Sequence, residues 1–558
     1  MRRPEYRRRV SRRTLLFLGA SVSQLPAIRH ARAAGYRVVA VDGDPDAVAF
    51  RHVDVAEVVD FTDIEHVVET GARLRVDGVL AISTDRAVVP AAAVAEALGL
   101  PGIGVDVARG FTNKGEMRAR LAHAGIAQPR SRVITSADDV DAAFAAFTPP
   151  AVLKPADSGG QRGLFLVDTA EEVRKRLDDT LALSRSGQAI LEEYLLGIEL
   201  NCLLAMRRGE ATMLTLSDRL RPGGIGFGVG WIHAFPSVLP DSTLDEAEAL
   251  AVAAVRALGL RDGIAFPQLI ATSDGVQVVE VAARIAAGQM ADLVSYGTGI
   301  NLFDIAFAQA LGDDVPDTLV SRRFTRPIAI RFLTASPGVL PVGKVTAIDG
   351  LDDVRASPGV LAADVYVAPG ATLRPVQVDA DRSGFVVATA ASALEALKLA
   401  DRAAEKLVVT VADEAPHPAP RRWRRCWALS AALAGAAVAA AAIAFATTKG
   451  SDLRQALVGE AHVSKELSPA CHCPRDVARI AFRLLRAEPV TFRIVNASGK
   501  TVATLAHDRL LAPGEERFAW HGRNTRGAVL PYGDYRSELV FSTLNRTVVL
   551  PGSIDLVG

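Results

Sequence analysis

Apolar positions in this chain fall into short unbroken runs separated by stretches of helical spacing, so the pattern predicts strands and helices in turn. Thr14 to Gly19 is an apolar run entering a turn of small residues, Gln24 to Ala34 reads as a helix stopped by Gly35, and Tyr36 to Asp44 is a second strand closed by two aspartates. The alternation continues through Asp77 to Thr84 and the alanine-rich helix Val88 to Leu98. Strand, glycine turn, helix and acid-tipped strand open a doubly wound α/β sheet. The segment lacks G-x-G-x-x-G, so a dinucleotide site has little support there, and a scaffold that packs on a neighbour or cups a substrate fits better.

Further along, the same pattern begins to carry chemistry. Phe111 to His123 is predicted as one helix with Lys114 near its start. Ala151 to Gly163, AVLKPADSGGQRG, is a strand ending at Lys154, followed by a loop with three glycines that can wrap backbone N–H groups around phosphate oxygens. Ala189 to Leu200, AILEEYLLGIEL, offers apolar faces and backbone hydrogen bonds suited to adenine and a carboxylate suited to ribose. Gly263 to Met290 reads as two antiparallel strands around the turn Ser273 to Gly275, with Gln268 on the first strand and Glu280 and Arg284 at the end of the second. Alternation along a strand sets Glu280, Ala282 and Arg284 on one side, so two oxygen donors and a cation meet on one surface.

At 558 residues the chain is long enough for three to five domains. Its formal net charge of zero removes a global argument for nucleic acid, but arginines crowd the first thirteen residues and recur at Arg421, Arg422, Arg424 and Arg425. From Trp427 to Thr448 no residue is charged, and the run is long enough to cross a hydrocarbon core of ~30 Å. We therefore expect one transmembrane helix, with the positive-inside rule placing residues 1–426 in the cytoplasm and 449–558 outside. Ser11 to Ser21 has the look of a twin-arginine export signal, but its apolar part is short and no small-residue cleavage site follows, so it fits better as the first core strand. Four cysteines exclude a disulfide framework. Cys471, His472 and Cys473 invite a metal site but have no second pair nearby.

In this order the signals resemble the ATP-grasp superfamily, particularly its carboxylate–amine ligases and their relatives in biotin carboxylase and carbamoyl-phosphate synthase. The resemblance covers residues 14 to roughly 412 and rests on the Rossmann-like entry, KGEMR at Lys114, LKPADSGGQRG, LEEYLLGIE, Gln268 and E-x-A-x-R. It implies that Lys114 and Lys154 contact the phosphates of ATP, with Ser158, Gly159, Gly160 and Gly163 in the loop that closes over them. Glu192 with the backbone of Glu193, Tyr194 and Leu195 would hold adenine, and Glu199 the ribose. Gln268 and Glu280 would bind Mg2+ (or Mn2+), and Arg284 would stabilise the acyl phosphate. Two departures stand out: Gln268 replaces the frequent glutamate, and Ala282 replaces the family's usual asparagine. Arg219 is the candidate for a substrate carboxylate, His233 reads as a packed or surface residue, and Gly223 to Gly230 as a substrate-side lid.

Val490 to Leu550 alternates strands and turns, and Phe518 to Phe541 resembles the immunoglobulin-like domain of flagellar hook-capping proteins, with Trp520, Gly522, Gly527, Gly533 and Tyr535 as core and turn residues. The expected architecture is a basic tail (1–13), a Rossmann-like domain (14–112), an ATP-grasp domain (113–318), an associated α+β subdomain (319–412), a basic linker (413–426), the membrane helix (427–448) and an extracytoplasmic all-β immunoglobulin-like sandwich (449–558). The expected function is a membrane-tethered, ADP-forming ligase joining a small carboxylate to an amine. The outer domain leaves room for a protein partner, and homo-oligomers stay open. A bicarbonate-using relative, or an ATP-binding scaffold or sensor impaired by Ala282, remain alternatives.

Overall fold

In the computed structural model, residues 12–220, 229–336 and 338–412 are described, and beyond them most of 458–557. The chain divides into two compact units, residues 1–446 and 447–558.

The first unit opens with a parallel sheet of β1 (Thr14–Leu18), β2 (Arg37–Asp42), β3 (Val55–Val58) and β4 (Gly78–Ala81), in the order β3-β2-β1-β4. Thr14 to Leu18 is buried throughout because helices cover both faces of this sheet, which is why its strands read as continuous apolar runs. A small antiparallel sheet follows, built from β5 (Ser131–Ile134), β6 (Ala151–Pro155), β7 (Phe165–Val167) and β8 (Ala189–Glu193). The predicted helix over Phe111 to His123 is in fact two, Val105–Thr112 and Lys114–His123. Asn113 breaks it by capping the second, its side chain accepting from the Glu116 N–H, so Lys114 becomes the first residue of that helix.

An eight-stranded antiparallel sheet dominates the unit. It comprises β9 (Ile198–Arg207), β10 (Glu210–Leu220), β11 (Ile232–Phe235), β12 (Gly263–Thr272), β13 (Gly275–Ala282) and β14 (Ile328–Leu333), and after β15 (Gly343–Asp349) also β16 (Val360–Val365); after β17 (Thr372–Leu373) comes its last strand, β18 (Gly384–Thr389). The order is β13-β12-β9-β10-β11-β14-β18-β16, while β15, β17 and β19 (Val408–Val411) form a separate three-stranded sheet. The expected hairpin is β12 and β13, with Gln268 directly opposite Glu280 and a bulge beside that pair. After β13 the chain packs on the first sheet. Ala282, Ile285, Ala286 and Met290 share a core with Leu15 and Phe17, and Ile82 bridges to Ile285. Ala282 is thus buried among apolar side chains, on the same strand face as Glu280.

In the second unit, two β-sheets of three and six strands close on one core that includes Ile480, Phe482, Phe492, Ile494 and Leu539. Strands begin at Val458, earlier than the expected Val490. Trp520 and Tyr535 meet edge to face at 5.2 Å, and their polar tips donate to the carbonyls of Arg523 and Pro531. Gly522 and Gly533 take positive φ, as turn residues do.

Two expectations need correction. Among the described residues no helix is long and apolar enough to cross a membrane, so neither the transmembrane helix nor the single-pass location derived from it stands. The apolar run Trp427 to Thr448, the linker before it, the tail 1–11, Cys471 to Cys473 and most of the glycine-rich Gly223 to Gly230 lie outside the described residues.

The approach of the chain entering β9 to β12 depends on Gly197. A Cβ there would strike the carbonyl of Ala271 on β12 and come within 2.7 Å of Ile270 Cγ2. Gly197→Ala is expected to destabilise the chain by roughly 2 kcal/mol, read as a lower urea midpoint at unchanged slope.

Candidate functional site

Paired residues on neighbouring antiparallel strands share a face, and one face of the large sheet collects the polar groups. Gln268 on β12 lies opposite Glu280 on β13 and Asn201 on β9. Two residues along, Glu199 on β9 lies opposite Arg219 on β10, which lies opposite His233 on β11. The side chains meet as the register requires. Gln268 Nε2 donates to Asn201 Oδ1 at 3.1 Å, Asn201 Nδ2 donates to His233 Nδ1 at 2.9 Å, and Arg219 pairs with Glu199. His233 is buried and stacks edge-on against Phe332.

Across from this face stand the lysines and the glycine loop. Lys114 Nζ lies 3.2 Å from Glu280 Oε1 and donates to the Ser158 carbonyl at 2.8 Å. Lys154, on β6, is buried with its Nζ 2.6 Å from Glu192 Oε2, and Arg118 Nε holds the other oxygen at 2.8 Å. Gly160, Gln161 and Gly163 take left-handed φ of +71°, +67° and +69°, which folds the loop tightly back on itself.

A cleft of about 130 Å³ separates the two sides. Lys114, Lys154, Ser158, Gly159, Gly160, the backbone segment Glu192 to Leu195, Glu199, Arg219, Gln268 and Glu280 all line it. Gly163 packs on Pro155 and Leu183 instead. Arg284 lines a neighbouring cavity of about 940 Å³, and its Nε and Nη2 are held by Asp85 at 2.8 and 2.7 Å.

Three segments of the first unit match known families. Residues 28–102 match the family model of the ATP-grasp N-terminal domain, 113–318 that of the carbamoyl-phosphate synthase L chain ATP binding domain, and 331–412 that of the L-amino acid ligase C-terminal domain 2. The chain belongs to the ATP-grasp superfamily. It is an ATP-dependent carboxylate–amine ligase of that superfamily. Formate-dependent phosphoribosylglycinamide formyltransferase of Synechocystis sp. is 27% identical over 408 residues, covering 71% of this chain and 97% of that protein. Alanine–anticapsin ligase of Bacillus subtilis is 25% identical over 283 residues, covering 46% and 58%. The crystal structure of an L-amino acid ligase from Bacillus licheniformis superposes with a TM-score of 0.62 at 21% identity, over 72% of this chain and 99% of that one. In the second unit, residues 476–543 match the FlgD Ig-like domain.

Within this ATP-grasp ligase, several side chains expected to face ligand are engaged by the protein. The Glu192 carboxylate is spent on Arg118 and Lys154. Burial raises the cost of its charge, but the two cations outweigh that and hold its pKa at about 2. Burial likewise makes Lys154 a weaker base, with Arg118 and Lys114 adding to the effect against the attraction of Glu192. Glu199 and Arg219 occupy each other.

Sequence reading missed Asp85, Arg118, Asn201 and Arg382. Asp85 follows the end of a parallel strand, where doubly wound sheets place their functional groups. Arg118 lies one turn after Lys114, and Asn201 two residues after Glu199 on the same strand face, so each had a periodic signal. Arg382, stacked on Phe332 at 4.3 Å, had none.

The Glu192 pKa lies below its ordinary 4.5, so the stability it contributes is present above that pH and lost as pH falls toward 2. An acid titration of unfolding free energy should lose on the order of 3 kcal/mol in that window. Glu192→Gln should flatten this step and lower stability at pH 7 by about 3 to 5 kcal/mol, because Arg118 and Lys154 are left buried without their partner.

Proposed function

We propose that the first unit activates the carboxylate of an amino acid as an acyl phosphate at the expense of ATP and passes the acyl group to an amine, releasing ADP and phosphate. The observation that carries this reading is the register pair Gln268–Glu280 facing Lys114 across the cleft, with the Ser158 carbonyl and its glycine loop on the same lysine. The match of residues 331–412 to the L-amino acid ligase C-terminal domain 2 supports an amino acid as the carboxylate.

In this reading Lys114 and Lys154 hold the phosphates as point charges while the loop from Ser158 to Gly163 covers them. The backbone from Glu193 to Leu195 receives adenine. Two hard oxygen donors suit Mg2+ or Mn2+, which takes the rest of its shell from phosphate and water. The donor set fits such an ion, since the carboxylate of Glu280 already carries a cation, Lys114, at 3.2 Å. Bound there, the ion would neutralise charge on the transferring phosphoryl group.

The substrate carboxylate oxygen attacks the γ-phosphorus in line as the bond to the ADP oxygen breaks. The neutral amine then attacks the acyl carbon, the bond from that carbon to the phosphate oxygen breaks, and the proton lost from nitrogen leaves with the phosphate. Arg284, held by Asp85 through Nε and Nη2, keeps Nη1 without a partner, and that free donor is the one suited to the developing negative charge. The protein's part is orientation and fixed charge rather than proton abstraction.

Glu280→Gln should abolish ADP release supported by an amino-acid pool, measured by coupled assay on the full chain, and Lys154→Met should reduce it at least a hundredfold. Unchanged turnover in Glu280→Gln would sink the metal role. ADP release that requires bicarbonate and ignores amino acids would replace the reading with a carboxylating one.

A further inference from the structure

A carboxylate offers oxygen to a metal whichever way its end is turned, whereas a carboxamide offers oxygen from one end and two N–H donors from the other. Gln268 stands where the superfamily often has glutamate, so its side chain serves a metal in only one of two orientations. The hydrogen bonds around it select between them.

The selection starts at His233, two strands away. This ring is buried, and desolvation with the like charges of Arg219 and Arg382 pushes its pKa well below 6.5, so it is neutral and carries one proton. An amide nitrogen can only donate, so the 2.9 Å contact from Asn201 Nδ2 makes His233 Nδ1 the acceptor and leaves the ring proton on Nε2. With its nitrogen committed, Asn201 turns Oδ1 toward β12 and accepts from Gln268 Nε2 at 3.1 Å. One N–H of Gln268 is thereby taken up inside the sheet, and with the nitrogen turned to Asn201, Oε1 is the end left for the side shared with Glu280.

Asn201 reaches across β10 because its register partner there is Ser217, a small residue whose Oγ donates to the Asn201 carbonyl at 3.3 Å. A larger side chain at Ser217 would stand between Asn201 and His233. Ser217, Asn201 and His233 are nearly or wholly inaccessible to water, so no solvent competes for the Asn201–His233 bond, while Gln268 is only partly buried beside the cleft.

We propose that Asn201 and His233 are positioning residues that hold Gln268 with its oxygen toward the metal, so that a neutral amide serves where a carboxylate is common. The inference rests on the reading of Gln268 as a metal ligand and is tested by one measurement that needs no metal and one that does.

The first is histidine 15N NMR of the full chain, with the His233 signals assigned by their loss in His233→Gln. Wild type should show His233 protonated on Nε2. In Gln268→Glu the new carboxylate requires a donor, so Asn201 should turn its nitrogen to it and its oxygen to His233, moving the ring proton to Nδ1. The same tautomer in both proteins would overturn the relay. The second is calorimetric titration of Mn2+ in the presence of ADP. Asn201→Leu should weaken Mn2+ binding about tenfold when residue 268 is Gln and less than about twofold in the Gln268→Glu chain. Equal losses in both backgrounds would mean that Asn201 is merely structural and would overturn the proposal. If Gln268→Ala leaves Mn2+ binding unchanged, the ligand role itself falls, and that failure is told apart from failure of the relay by the tautomer measurement.

Discussion

Ionised side chains taken out of water cost several kcal/mol each unless opposite charge and hydrogen bonds are at hand, and this constraint shapes the site of the first unit. Glu192 sits between Arg118 and Lys154, Glu199 on Arg219, Asp85 on Arg284, and Glu280 against Lys114. Each pair joins different elements. Arg118 comes from a helix, Lys154 and Glu192 from the small sheet, Arg219 and Glu199 from the large sheet, and Asp85 from the segment after β4. Satisfying the charges is therefore also what docks the first sheet, the small sheet and the large sheet around one cleft.

The antiparallel register of the large sheet does the finer placing. Because opposed residues share a face, the polar positions of β13, β12, β9, β10 and β11 form a row rather than a scatter, and the row needs only small residues such as Ser217 to let side chains reach past a neighbouring strand. The helical side of the cleft is aimed by Asn113, which stops one helix and starts the next so that Lys114 leaves the first turn facing Glu280.

Much of this was legible in the residues, for local reasons. The turn Ser273 to Gly275 between two apolar runs defines the β12–β13 hairpin, whose plain register would set Gln268 opposite Val279; the bulge at Val279, which no local pattern announced, brings it opposite Glu280. The break at Asn113 was legible too, since Asn three residues before Glu116 is a capping signal, but the helical periodicity on either side masked it. The partners that decide which side chains are free were not legible. Arg284 and Asp85 are 199 residues apart and Arg118 and Glu192 are 74 apart, and such pairings arise from packing between sheets, which no local pattern encodes. The same packing closes an apolar core over Ala282, which strand alternation keeps on the face of Glu280.

The contact between Lys114 and Glu280 joins a group proposed for phosphate to a group proposed for metal. Under those roles neither ligand can take its own residue without loosening the other, so whichever binds first has already met part of the cost of separating the pair for the second. Nucleotide and divalent ion are then thermodynamically linked, each raising the affinity for its counterpart by the same factor.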